Sequence, residues 1–304
     1  MQESRLKNYV LLHLIVLIWG FTAILGALIS LEAIPLVWYR MSLAVVFIFI
    51  YFLIYKKSFK VDRIAIAKFF VTGILIALHW IFFFKAIKVS NVSVALVTMS
   101  TGAFFVSLVE PLFFKRRIKV LELVLGFCVC IGLYIIFNFE SQYRLGIFYA
   151  LISSLLSAFF SVFNGLFIQK YDASKISLYQ LFFGVVFITV YLLFTNGFSA
   201  SFFEISKADW GYLIILGSIC TAYAFITSVK VMKYLSPYTV ILTLNLEPIY
   251  AIILALFIFG EEEKMNPEFY FGAFIVLFVV LLNGMIKNKN SIRNKIKEKS
   301  VSKN

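Results

Sequence analysis

The sequence predicts an all-α integral membrane protein with ten transmembrane helices in two inverted five-helix repeats. Three observations carry this prediction. Of 304 residues, 62% are hydrophobic and only 14% are charged, against about 45–50% and about 25% in a soluble domain. The apolar residues gather into ten long runs with short connections. The basic residues fall mostly in alternate connections. A water-soluble chain of this size has no way to hide so much apolar surface. Three Cys are too few for a disulfide scaffold. The net charge of +13 suggests nucleic acid, but the basic residues sit in short runs between apolar ones. The partner the composition implies is therefore the lipid bilayer, with no nucleic acid.

A helix needs about 20 apolar residues to cross about 30 Å of hydrocarbon. The runs that meet this are Tyr9–Ile29, Pro35–Tyr55, Ile64–Phe84, Val92–Phe114, Val120–Phe137, Leu145–Ile168, Ile176–Thr195, Trp210–Val229, Tyr238–Phe259 and Phe269–Ile286. None has the two-residue alternation of a membrane strand. The first is too long for a cleavable signal peptide, and no small-residue cleavage site follows it. With the N-terminus inside, 21 of the 28 Lys and Arg fall in inside segments, among them Lys56–Arg63 and Lys115–Lys119, and 5 fall outside. That bias predicts both termini in the cytoplasm.

The chain divides near Asn138–Arg144 into two sets of five runs. Residues 1–138 are expected to form the first repeat, 139–287 the second, and 288–304 a basic cytoplasmic tail. Val89-Ser90-Asn91-Val92-Ser93-Val94 aligns with Leu235-Ser236-Pro237-Tyr238-Thr239-Val240, the first entering the fourth run and the second the ninth. At that offset Thr101-Gly102 face Glu247-Pro248. An odd number of spans per half inverts the second against the first, the pattern of carriers with a site near mid-membrane.

Trp19-Gly20, Trp38-Tyr39-Arg40, Leu246-Glu247-Pro248 and Gly260-Glu261-Glu262 resemble motifs of the EamA family of the drug/metabolite transporter superfamily. The stretch from His79-Trp80 to Lys88, with Ser90-Asn91-Val92-Ser93, resembles the third-to-fourth span junction of a bacterial subgroup. The resemblance covers nearly the whole chain. Many relatives have Pro where Gly102 stands, and a Gly there also loosens the helix. The resemblance implies a secondary-active carrier in the bacterial inner membrane with a central cavity. Its expected action is export of a small polar metabolite such as an amino acid.

The candidate substrate-binding residues are Arg40, His79, Trp80, Asn164, Asn245 and Glu247. Glu247 lies about halfway along its run, where a charge is costly. Thr239, Thr243, Glu247 and Tyr250 share one helix face. Its carboxyl suits a proton carrier or a partner for a cationic group. Arg40 suits a two-pronged grip on a carboxylate, or snorkels to the headgroups. His79 suits titration or donation to substrate. Trp80 suits stacking on a ring or cation, although the interfacial aromatic belt is favoured for it. Trp19 is too deep for the belt and reads as cavity wall or helix packing. Ser153, Ser157, Ser161 and Asn164 form a stripe that reads mainly as a close-packing face.

No zinc-binding or phosphate-loop motif is present, so no cofactor or metal is expected. Cys128, Cys130 and Cys220 read as free thiols. The expected partners are a small-molecule substrate and protons as the coupling ion, with a monomer or homodimer sufficient. The chain is expected not to be an enzyme. The alternatives are a membrane enzyme acting on lipid or lipid-linked sugar, and a passive channel.

Overall fold

The computed structural model describes residues 2–114, 120–231, 243, 246–279, 281–282 and 285–286. Among these residues the regular elements are helical throughout, with no strand. Asn245, the Leu235–Val240 side of the repeat alignment, the Lys115–Lys119 basic cluster and the tail all lie outside them.

The first three apolar runs become α1 (Gln2–Leu28), α2 (Ala33–Ile54) and α3 (Arg63–Val89). The fourth divides into α4 (Val92–Met99) and α5 (Gly102–Phe114), and the fifth is α6 (Val120–Phe139). The sixth and seventh are α7 (Arg144–Phe167) and α8 (Ala173–Phe194). After a short α9 (Ala200–Phe203) comes the eighth run, split into α10 (Lys207–Gly217), a π-helical turn at Ser218–Tyr223, and α11 (Ala224–Val231). The last two described helices are α12 (Glu247–Phe259) and α13 (Pro267–Val279). Among the described residues seven helical segments are long and apolar enough to cross a membrane, and the fifth, ninth and tenth runs appear as shorter apolar helices.

Polar residues between the runs start the helices by accepting from their free N–H groups. Asp62 caps α3 through Ala65 N at 2.8 Å, and Asn91 caps α4 through Val94 N at 2.8 Å. Asp172 caps α8 through Ser174 N at 2.9 Å. The Ala65 N–H and the Tyr171 hydroxyl hold the Asp62 carboxyl below the usual carboxylate range. Its contribution is therefore present at neutral pH and lost as pH falls through that lowered value.

Two boundaries differ from the sequence expectation. The third helix runs past Phe84 to Val89, so Lys85 and Lys88 are helical. Lys88 Nζ donates to Ile29 O at the end of α1, a stabilising use of a cation at a helix C-terminus. The fourth run breaks at Ser100–Thr101. Ser154 Oγ of α7 donates to Met99 O at 3.2 Å, and Thr101 Oγ1 donates to Thr98 O at 2.7 Å, so carbonyls at the break are satisfied.

The helix α3 is central and packs along α7 and α8; α1 lies against α12, and α4 against both α7 and α12. Large apolar side chains such as Phe194 and Phe257 stay exposed on the outer surface, as lipid contact requires. At the end farthest from the N-terminus, α12 stops at Gly260, whose φ of +58° needs a residue without Cβ. Glu263 just beyond is buried and accepts from Val92 N at 2.8 Å and Ser93 N at 2.9 Å, tying α12 to the start of α4. At the same end Asp209 accepts from Ser30 N at 2.9 Å and Ser30 Oγ at 2.5 Å.

The α3–α8 crossing depends on Gly73. A Cβ there would lie 2.5 Å from Gln180 O, which is backbone and cannot swing aside. Gly73→Ala is expected to destabilise the protein by about 1–3 kcal/mol through overpacking. Thermal unfolding in a fixed detergent checks this; an unchanged melting temperature would mean that the crossing is looser than described.

Candidate functional site

The lining of one cavity of about 200 Å³ includes Trp19, Arg40, His79, Trp80, Asn164 and Glu247. Five of the six predicted substrate-binding residues thus meet in one place; Asn245 lies outside the described residues. They come from α2, α3, α7 and α12, which are far apart in sequence. The lining reaches Val106, Asn164, Ser228 and Val229, all in the stretches of α5, α7 and α11 that lead back towards the side of the N-terminus. On the opposite side it stops at Arg40, Phe83 and Leu96. The Asp209 and Glu263 bonds tie helix ends together on that side.

Arg40 is 2% exposed, so the snorkelling alternative does not hold. Its guanidinium carbon lies 4.0 Å from the Trp80 ring centroid, a cation–π contact. Its Nε donates to Thr221 Oγ1 at 2.7 Å. Its Nη1 has no partner among the described residues. Thr221 belongs to the π-helical turn and itself donates to Leu216 O at 2.7 Å. Such single-turn widenings place side chains that a regular helix would turn away. The aromatic-belt placement favoured for Trp80 is corrected. The indole is 8% exposed and lies under a buried cation, because Arg40 enters from α2 and needs a π face.

Trp19 proves to be both cavity wall and packing group. It lines the cavity while its Nε1 donates to Cys220 O at 3.2 Å on the same π-helical turn. Cys220 is buried, free and part of the lining.

His79 is anchored on α7. Its Nδ1 lies 2.9 Å from Ser153 O and 2.8 Å from Ser153 Oγ, and Ser153 Oγ donates to His79 O at 2.8 Å. The Phe160 ring packs against it at 5.2 Å between centroids. The serine stripe on α7 therefore divides. Ser153 packs against α3 as expected, whereas Ser157, Ser161 and Asn164 face the cavity. Asn164 Oδ1 accepts from Gln180 Nε2 at 2.7 Å, and the same amide donates to Thr72 Oγ1 at 2.8 Å. This chain fixes the Asn164 side chain at the wall.

Glu247 opens α12, with Pro248 beside it in the first turn. It is partly open, and it and Arg40 act on each other electrostatically without forming an ion pair within 4 Å. The expected polar face is only partly kept. Tyr250 does not line the cavity; its hydroxyl is 3.4 Å from His13 Nδ1. The half-helices α5 and α12 both begin in the lining, at Gly102 and Glu247, and a helix start presents unpaired N–H groups and partial positive charge.

The arrangement offers a fixed guanidinium donor, a carboxyl, an imidazole and a side-chain amide in a space walled by Phe83, Phe160, Phe225 and Leu96. It can hold a small solute with charged and apolar parts. Sequence reasoning missed Thr221, Cys220 and Ser228. Each is a small residue in a largely apolar run, and the π-helical turn that aims Thr221 has no clear sequence mark.

The sequence profile of the EamA-like transporter family matches residues 6–138 and 144–285. A Clostridium kluyveri protein described as an uncharacterized transporter is 25% identical over 214 residues, or 68% of this chain. The match spans 66% of that relative's length. A protein crystal structure superposes with a TM-score of 0.64, covering 92% of this chain and 97% of that one at 13% identity. That likeness is one of fold alone.

Proposed function

Because this chain belongs to the EamA-like transporter family, we propose that it is a secondary-active carrier exporting a small polar metabolite, such as an amino acid, by alternating access. The observation that carries this reading is the cavity itself. It lies inside the bundle and is lined from both halves of the chain by Arg40, His79, Trp80, Asn164 and Glu247. These residues, with Asn245, are the proposed contacts to substrate. Arg40 takes an anionic group and Glu247 carries the coupling proton.

The proposed framework is ten spans in two inverted five-helix repeats, at 1–138 and 139–287, followed by the tail at 288–304. Two separate profile matches, at 6–138 and 144–285, support it. So does the start of α5 at Gly102 and of α12 at Glu247, starts that fall within one position of each other at the offset of the repeat alignment. The basic-residue bias supports both termini in the cytoplasm of a bacterial inner membrane. In that orientation the cavity extends towards the cytoplasm, where an exporter loads. One chain encloses the cavity, so a monomer is enough and a homodimer is compatible.

Comparing solutes outside cells that make the protein with those outside matched cells that do not tests this reading. One class of small polar solute is expected to accumulate outside only with the protein. Purified protein in liposomes should then exchange that solute saturably. Flux without saturation or counterflow would point to a channel, turnover of added lipid to an enzyme, and no difference with the protein in the membrane would reject export.

A further inference from the structure

We propose that His79 is the hydrogen-bond acceptor of the cavity: its Nδ1–H is committed to Ser153, and its Nε2 lone pair faces the space that Arg40 shares. The site therefore selects a solute that carries an N–H or O–H donor close to the acceptor that Arg40 requires. This rests on reading the cavity as a solute site and gives His79, one of its proposed contacts, a specificity-determining role.

The argument is geometric. A backbone carbonyl oxygen only accepts, so the 2.9 Å contact between Nδ1 and Ser153 O puts a proton on Nδ1. The one hydroxyl proton of Ser153 goes to His79 O at 2.8 Å. Its oxygen, 2.8 Å from Nδ1, then shares the same imidazole N–H. A neutral imidazole with hydrogen at Nδ1 has its lone pair at Nε2. Phe160 and Phe83 lie against the ring, and rotation would break its contacts with Ser153. The ring lines the cavity, and both of its side-chain hydrogen-bond contacts run through Nδ1 to Ser153, which leaves Nε2 for the cavity.

A second cation here would be unfavourable. The cavity already holds the buried guanidinium of Arg40, whose charge acts on His79, and like charges inside a protein repel more strongly than in water. Glu247, the facing carboxyl, acts on Arg40. Arg40 Nη1 needs an acceptor and His79 Nε2 needs a donor, so a solute offering acceptors alone leaves one of them unpaired, at a cost. His79 was expected from sequence to titrate or to donate; Ser153 makes it accept.

The chain has two His, so a His13→Gln variant with isotope-labelled histidine gives a nuclear magnetic resonance signal from His79 alone. The expected spectrum shows a protonated Nδ1 and an unprotonated Nε2, unchanged between about pH 6 and about pH 8, the range in which free imidazole titrates. The opposite tautomer, or a doubly protonated ring across that range, overturns the proposal.

Counterflow of a radiolabelled amino-acid mixture into liposomes gives the second readout. His79→Gln keeps a side-chain acceptor, and His79→Phe has none, so exchange is expected to be about tenfold slower in His79→Phe than in His79→Gln. A folded His79→Phe protein that exchanges as fast as the intact one also overturns the proposal. If the intact protein exchanges none of the mixture, the amino-acid reading fails instead, and the spectrum still decides the state of His79.

Discussion

Glu247→Gln is expected to leave exchange intact and abolish accumulation. The amide keeps the shape of the carboxyl and most of its hydrogen-bonding capacity but cannot take up or release a proton. In liposomes loaded with the exported solute, counterflow without a proton gradient should continue. With a gradient imposed, the solute should merely equalise across the bilayer in the variant, whereas the intact protein is expected to concentrate it. The basis is the placement of Glu247 at the start of α12, inside the cavity, facing Arg40 without an ion pair. A carboxyl so placed can alternate between a protonated form and one that pairs with a cation. Loss of both activities in a folded variant would confine Glu247 to holding the substrate, with no part as proton carrier. Retention of both would make it a bystander. Transport at several pH values strengthens the assignment, since the variant should lose the pH dependence of the intact protein.

Arg40→Lys is expected to raise KM for the solute about 30-fold or more, the equivalent of the ~2 kcal/mol lower bound for removing one partner of a buried charged hydrogen bond. The substitution keeps the charge but not the shape. Nε holds Thr221 at 2.7 Å, the guanidinium plane covers Trp80, and Nη1 remains free for the solute. A lysine has one nitrogen for these three tasks. Thr221→Val should have a smaller effect in the same direction, because it frees Arg40 to shift and leaves Nε unpaired. Initial-rate counterflow over a range of solute concentrations separates the outcomes. An unchanged KM in Arg40→Lys would show that charge alone matters, and a loss of maximal rate alone would place Arg40 in the conformational step.

Much of the site was legible because membrane chains expose their exceptions. A Glu, an Arg or a His within an apolar run is costly in lipid, so each marks an interior surface. Arg40, His79 and Glu247 were found in this way, and the structure brings them together. Trp80 was harder, since indoles also collect at the interface and one sequence does not separate the two positions. The serines of α7 were ambiguous for a similar reason. A small hydroxyl residue suits close packing as well as a polar wall, and the neighbours that differ between Ser153 and Ser157 belong to another helix.

The amino-acid sequence alone marks the chain as helical and as a multi-pass membrane protein. Those properties follow from the length of the apolar runs, the residues that cap them and the charge between them, all local along the chain. Tertiary structure decided how the polar residues are used. The break at Ser100–Thr101 is satisfied by Ser154 from α7. The Arg40 guanidinium is aimed by a π-helical turn of the eighth run, 181 positions away in sequence. The imidazole of His79 takes its tautomer from Ser153. In each case a group's role depends on the partner that meets its donors and acceptors, and in a bundle that partner comes from another helix.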